Sequence, residues 1–312
     1  MNYLGIDIGG TAAKFGIVEE DGRILLEESC DVSFDHYETP ILTTVTRKID
    51  EFAHKNRVHI QDLAGIGVSA TGQIDTESGI VIGSAGHIKN WEGVPIKKEL
   101  EDRYGIRTTV VNDANCVAIA EHWLGKAKGA ANALIITIGT GVGGGIISDS
   151  RILLGNKGVA GELGHFVIEY GGRLCSCHNR GCYEQYASMT ALVATVRQHK
   201  QLLEQYRLQE EDINGKLIFE LASKNSIPVL EMIDTWIDYI ACGLVGLTHI
   251  FSPELILIGG GVSRQKELFI DQLRDKVLKS VMPVFRETVR LEAAELGNSA
   301  GLVGAVRYCM NH

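Results

Sequence analysis

The sequence predicts an α/β protein made of two related domains, and three observations carry that expectation. A strand that runs into a glycine turn occurs twice, at Ile6-Asp7-Ile8-Gly9-Gly10-Thr11 and at Ile136-Thr137-Ile138-Gly139-Thr140-Gly141. Strand and helix patterns alternate around each copy, as they do where helices cover a sheet. The length, 312 residues, is about that of two domains at roughly 150 residues each.

Each element follows from local pattern. Residues 3–8 alternate as a strand, 9–11 form a turn, and 14–18 return as a second strand, which is the signature of a hairpin. Leu42, Val45, Ile49 and Phe52 recur at helical spacing and predict a helix over 41–56. Residues 64–68 read as a buried strand. Pro95 opens a helix bearing Ile96, Leu100 and Tyr104. A strand over 108–111 and a helix over 114–124 complete the first half. The second half repeats the device with a strand at 133–138, a turn at 139–141 and a returning strand at 142–147. A long apolar helix through Ile233, Trp236, Ile240, Leu244 and Leu247 leads into a third strand and glycine turn, Leu255 to Gly261. A last helix starts near Ala300 and would pack back on the first domain. The expected domains are therefore 1–119 with about 300–312, and 120–299, the boundary falling in the helix near 118–126.

Composition narrows the function. The chain is 45% hydrophobic and 22% charged, which describes a globular protein and excludes a disordered one. Its formal charge of -9 offers no basic face for nucleic acid. The N-terminus lacks the basic and apolar regions of an export signal, and the longest apolar run, 133–147, is short of the roughly 20 residues a membrane span needs. The cytoplasm is the expected location. Four of the 7 cysteines, Cys30, Cys116, Cys242 and Cys309, read as small buried side chains. Among the histidines, His54, His59, His87 and His199 have no partner visible in sequence.

Three groups of residues carry chemistry. A strand ending in glycines exposes backbone N–H groups that can cradle phosphate oxygens. One such turn alone is a tight hairpin; three, at 9–11, 139–141 and 259–261, point to a nucleotide. Neither GxGxxG nor GxxxxGK[ST] occurs in its required strand-turn-helix context, so a nucleotide would bind between domains rather than on a P-loop. Asn112-Asp113-Ala114-Asn115 stands where a strand stops and a helix begins. An Asp or Asn there caps free N–H groups, yet a carboxylate at the carboxyl end of a strand also lies where α/β proteins bind ligands. Such a group could take the proton of an attacking hydroxyl, the positioned base that phosphoryl transfer requires. Finally, Gly161-Glu162-Leu163-Gly164-His165 precedes Cys175, Cys177 and Cys182. Three cysteines two and five apart, with a histidine ten residues upstream, suit a closed, structural Cys₃His zinc site. Its effect would be to fix the loop bearing Glu162 and Glu184.

Taken together, Asp7 to Thr11, Asn112 to Asn115, Gly139 to Gly143 and Gly161 to Glu184 make the chain resemble the ROK family of repressors and sugar kinases. The resemblance runs from the first strand past the midpoint, and Gly259 to Gly261 also fits. It implies two actin-like (ribonuclease H-like) domains with mixed sheets flanked by helices and a ligand cleft between them. It implies an ATP-dependent kinase acting on a hexose or N-acetylhexosamine at the C6 hydroxyl, glucose or N-acetylmannosamine first. Asp113 would be the general base. Asn112, Glu162, His165 and Glu184, together with Gly72 and Asn90, would hold the sugar. Gly9, Gly10, Thr11, Lys14, Gly139, Thr140 and Gly141 would line the ATP phosphates, and Gly260 and Gly261 the nucleoside. Asp7 would position Mg²⁺ through water. Zn²⁺ would be held by His165, Cys175, Cys177 and Cys182, with the other ring nitrogen of His165 toward the sugar. A homodimer is common in the family.

One departure stands out: where the family usually has glycine after the second cysteine, this chain has His178. A histidine there offers a purely local alternative to His165 as the fourth ligand. A β-glucoside or allose kinase remains an alternative within the family. A sugar-responsive transcription regulator would need a helix-turn-helix ahead of a strand that starts at about residue 3, and the acidic charge also speaks against it. A sugar-binding protein without catalysis would have no use for Asp113 and both phosphate turns.

Overall fold

The structure, a computed structural model, describes residues 1–83 and 88–312; His87 lies outside them. In chain order the elements are β1 (Asn2–Ile8), β2 (Ala12–Glu19), β3 (Ile24–Asp31), α1 (Ile41–Asn56), β4 (Ile66–Ala70), β5 (Gln73–Asp75), β6 (Ile80–Gly83), α2 (Ile96–Tyr104), β7 (Thr108–Asn112) and α3 (Asp113–Trp123). There follow β8 (Ala133–Ile138), β9 (Val142–Ser148), β10 (Arg151–Ile152), α4 (Glu184–Ala187), α5 (Met189–Arg197), α6 (Lys200–Tyr206), α7 (Gly215–Ser223) and α8 (Ile227–Phe251). β11 (Leu255–Gly259), α9 (Asp271–Ser280), α10 (Pro283–Arg286), β12 (Arg290–Ala293) and α11 (Ala300–Asn311) complete the chain. Among the described residues no helix is long and apolar enough to cross a membrane.

Two five-stranded mixed sheets repeat one plan. The first has the order β3-β2-β1-β4-β7 and the second β10-β9-β8-β11-β12, so a hairpin and its third strand lie beside two further strands in each. β1 runs antiparallel to β2 but parallel to β4, and β4 is parallel to β7. β8, β11 and β12 are likewise parallel. This is the repeated device seen in the sequence.

Residues Met1–Gly129, Gly145–Gly161 and Glu295–His312 form one compact unit, and Ala130–Gly144 with Glu162–Ala294 the other. In the first, one face of the sheet buries Ile6, Phe15, Val45, Ile49, Phe52, Val68 and Leu100 against α1 and α2. α11 covers the other face, with Leu302 and Val306 on Tyr3 and Val18. In the second, the apolar helix α8 contacts α4, α5, α7 and α9.

Within the first unit α3 runs unbroken to Trp123, and one buried side chain ties later segments to it. The carboxylate of Glu121, fully buried, accepts the N–H groups of Lys126 at 3.1 Å and of Glu295 and Leu296 at 2.8 Å each. Residues 145–161 join the same unit, where Thr76 N–H donates to the Lys157 carbonyl at 3.1 Å. The cysteine expectation needs correction. Cys116 and Cys309 are buried, but Cys30 is half-buried and Cys242 exposed. Cys242 lies on α8 next to the buried Ala241 and Gly243, on a face of that helix the core does not cover.

Candidate active site and metal cluster

In the first unit, the carboxyl ends of parallel strands gather the acceptor residues. β7 delivers Asn112 and Asp113 to the start of α3. The Asn112 carboxamide does the capping: its oxygen accepts from Ala114 N–H at 2.9 Å and Asn115 N–H at 3.2 Å. Its nitrogen donates to the Gly72 carbonyl at 2.9 Å and to the Asp113 carboxylate at 3.1 Å. Asp113 is half-buried and also accepts Ala114 N–H at 2.8 Å. Asp113 is therefore oriented by its neighbours while Asn112 meets the helix's demand for a cap. The same end of the unit holds Thr71 by the Trp91 indole N–H at 2.9 Å, and Trp91 is fully buried. Asn90, just before it, is exposed with φ 56°.

Asp7 stands on β1, with β4 between it and β7, opposite Lys14 of β2. The Ser69 hydroxyl donates to its carboxylate at 2.6 Å. Gly301, in the first turn of α11, leaves room for it: a methyl there would lie 2.6 Å from all three carboxylate atoms. Burial raises the Asp7 carboxyl above its ordinary value, against the lowering by Ser69 and Lys14. A carboxylate held in that state gains from a cation, which fits the outer-sphere role expected toward Mg²⁺. Lys14 donates to the Asn298 carbonyl at 2.7 Å, and Tyr37 donates to that of Gly10 at 2.8 Å, fixing the 9–11 turn.

In the second unit, parallel pairing of β8 with β11 sets the turns 139–141 and 259–261 side by side. The first is held down by α5: Met189 N–H donates to the Gly139 carbonyl at 2.9 Å and the Thr190 hydroxyl to that of Thr140 at 2.7 Å. Glu184 takes Val142 N–H at 2.9 Å, and its carboxylate packs so closely on Gly141 that a methyl there would have to push it aside. Gly139, Thr140 and Gly261, with Ile138, Val262 and Gln265 beside them, line a pocket of about 660 Å³ whose remaining wall comes from α5, α7 and the two residues before α7. That wall includes Met189, Val193, Ile213 and Phe219. Sequence reading missed it; its one signal is Asn214, an N-cap ahead of Leu217, Ile218 and Leu221.

His165, Cys175, Cys177 and Cys182 bring one ligand atom each within 4.8 Å of one another. His165 Nδ1 is 3.6 Å from Cys175 Sγ, and the Cys177 and Cys182 sulfurs are 3.6 Å apart. A tetrahedral ion with Zn–S about 2.3 Å and Zn–N about 2.0–2.1 Å requires separations of roughly 3.6–3.8 Å. The donors therefore fit zinc. His165 Nε2 turns the other way, 4.0 Å from the Glu162 carboxylate. Burial raises both the Cys175 and Cys182 thiols, but hydrogen bonds from Cys177 and His165 bring Cys175 below its ordinary value while Cys182 stays above. Gln185 Nε2 donates to Cys175 Sγ at 3.6 Å. The loop is anchored by Tyr183, which lies between Cys182 and Glu184. It is fully buried, its hydroxyl donates to the Ile240 carbonyl at 2.9 Å, and its ring rests on Gly243 of α8.

A profile of the ROK family matches residues 3–311. The chain belongs to the ROK family. A glucokinase of Thermotoga maritima is 34% identical over 310 residues, covering 98% of this chain and 96% of that protein. The structure of a ROK family glucokinase from Streptomyces griseus in complex with glucose and AMPPNP matches at 31% identity with a TM-score of 0.85, over 100% of both chains. A ROK family transcriptional regulator, a homologue of the E. coli MLC protein, matches at 26% identity with a TM-score of 0.86, over 98% of this chain and 77% of that one. The mixed sheets flanked by helices are thus the actin-like fold of ROK proteins.

Against the ROK pattern, His178 now has a physical description. Its backbone takes φ 68°, the left-handed conformation glycine adopts freely and other residues adopt at about 1–2 kcal/mol. That is why glycine suits the position. His178 is exposed and not among the four clustered ligands.

Proposed function

We propose that this ROK protein is an ATP-dependent hexose kinase that transfers the γ-phosphoryl group to a sugar hydroxyl, the one on C6. Glucose is the first acceptor to test, in line with the names of the relatives, and N-acetylmannosamine the second; a β-glucoside or allose is the alternative. The observation that carries the proposal is Asp113: a half-buried carboxylate at the carboxyl end of a parallel strand, oriented by Asn112, whose own carboxamide caps the helix. In-line transfer needs a base so placed and donors around the phosphates more than covalent chemistry. Asp113 takes the hydroxyl proton. Asn112, Gly72 and Asn90 on the first unit, and Glu162, His165 and Glu184 on the second, are assigned to the sugar. Gly9, Gly10, Thr11 and Lys14, with Gly139, Thr140 and Gly141, are assigned to the phosphates, and the pocket beside Gly260 and Gly261 to the nucleoside.

Mg²⁺, when bound with ATP, offsets phosphate charge, and Asp7 is its anchor. Zn²⁺ on His165, Cys175, Cys177 and Cys182 is structural, since four protein donors leave no position for a reactant. It fixes His165 with Nε2 free to meet the sugar. A cytoplasmic homodimer completes the proposal, on the family resemblance. The test is ADP release over a panel of sugars and glycosides, with D113A beside the wild type. D113A is expected to bind sugar as the wild type does and to lose roughly 10²–10⁴-fold in turnover. A loss under tenfold would place the base elsewhere.

A further inference from the structure

We infer that Tyr37 is a positioning residue for phosphoryl transfer: its hydroxyl fixes the peptide between Gly10 and Thr11 so that the Thr11 N–H is presented to the phosphates of the nucleotide. The inference deepens the kinase proposal and rests on its assignment of the 9–11 turn to those phosphates.

The turn needs something to hold it. Two glycines in succession leave the backbone a choice of conformations that other residues lack, so Gly9 and Gly10 rearrange at small cost. Backbone bonds tie the two edges of the turn. Gly9 N–H donates to the Ala12 carbonyl at 3.0 Å, and the Thr11 carbonyl accepts Val32 N–H at 2.9 Å. Between them the Gly10 carbonyl accepts the Tyr37 hydroxyl at 2.8 Å, and among the described residues no other side chain bonds to the backbone of residues 9–11. The peptide that joins Gly10 to Thr11 is planar and trans. Its carbonyl and its N–H therefore point in opposite directions, and holding the carbonyl on Tyr37 aims the N–H away from it. Among the described residues neither Gly10 N–H nor Thr11 N–H meets an acceptor. They are the donors that the turn keeps for an anion.

The segment bearing Tyr37 is shaped for this contact. His36 and Tyr37 both take the left-handed backbone conformation, at φ 56° and 65°. Residues other than glycine occupy it at a cost, and two in succession persist only where the surroundings dictate them. Here His36 N–H donates to the Ser33 carbonyl and Thr39 N–H to the Asp35 carboxylate, both at 2.9 Å. The half-buried Tyr37 ring packs against the core that the sheet shares with α1 and α2. One end of the segment is Val32, fully buried, whose N–H holds Thr11; the other is Pro40, which opens α1. Between these anchors the two left-handed residues bring the hydroxyl back onto Gly10.

Losing one hydrogen bond of this kind changes an equilibrium or a rate by roughly two- to tenfold. The experiment compares the wild type with Y37F, which keeps the ring and removes the hydroxyl. Both are titrated calorimetrically with magnesium AMPPNP and with glucose, and kcat and KM for MgATP are measured with glucose as acceptor. A melting curve confirms that each is folded at the assay temperature. Y37F is expected to weaken AMPPNP binding and to lower kcat/KM for MgATP by about three- to tenfold each, with the Kd for glucose within about twofold of the wild type. A loss of AMPPNP affinity under threefold overturns the inference. An equal loss of glucose affinity also overturns it, because that marks a general loosening of the fold. If the wild type phosphorylates no sugar, the kinase proposal fails, and the paired AMPPNP titrations still decide the role of Tyr37. A wild type that binds no AMPPNP overturns both.

Discussion

Replacing Gly243 by alanine separates two physical effects of opposite sign. Gly243 lies inside α8, where alanine is favoured over glycine by about 1 kcal/mol on helix propensity alone. Against that, the new methyl would lie within 2.7 Å of three atoms of the Tyr183 ring. The ring has little room to retreat. It is fully buried, its hydroxyl holds the Ile240 carbonyl, and its other neighbour is the Phe166 ring at 5.1 Å between centroids. Opening the contact by roughly 1 Å costs about 1–3 kcal/mol in overpacking, and losing the hydroxyl's partner adds about 1–3 kcal/mol more because the group is buried.

The net is a destabilisation of about 1–5 kcal/mol, centred near 3, which for a unit of this size lowers its Tm by roughly 10 °C. Because Tyr183 lies between Cys182 and Glu184, the same displacement moves a member of the His165–cysteine cluster and the carboxylate proposed for the sugar. Calorimetry and metal analysis of purified G243A read both effects: a lower transition and less than the one zinc per chain expected of the wild type. If G243A melts at or above the wild type with its zinc complete, the Tyr183 anchor does not hold the loop.

Asp7 gives a prediction in pH. Its carboxyl sits above the ordinary value of 3.8, chiefly through burial, so ionising it costs more in the folded chain than in the unfolded one. That penalty is absent at acid pH and grows as the pH rises through the folded value. D7N should therefore melt higher than the wild type at pH 7, lose that advantage below about pH 4, and transfer phosphate more slowly throughout; a D7N that melts lower at pH 7 counts against it. Glu121 gives one in stability. E121A takes the acceptor from three part-buried N–H groups, of Lys126, Glu295 and Leu296, and should cost about 1–3 kcal/mol in urea unfolding; no measurable loss would show that water or a shift of 295–296 replaces it.

Function was legible in this sequence wherever chemistry forces residue type at fixed spacing. Phosphate turns need glycines at strand ends, and a tetrahedral metal needs its cysteines close in the chain. The edge strand β3 escaped because Glu27 and Glu28 interrupt its apolar positions, and half its residues face solvent. The wall of the 660 Å³ pocket escaped for a different reason: α5 and α7 are ordinary amphipathic helices, and nothing in their pattern says what their ends surround. The choice between His165 and His178 was likewise closed to spacing alone, since both satisfy it, and only the backbone separates them. The part played by Tyr37 sits one level deeper still. As a letter, it is a tyrosine in the loop between a strand and a helix; as folded, two left-handed residues bring its hydroxyl onto the carbonyl of a glycine 27 residues earlier. Which donors a glycine turn can present is decided by where its carbonyls are held, and that exists only after the chain has made its own hydrogen bonds.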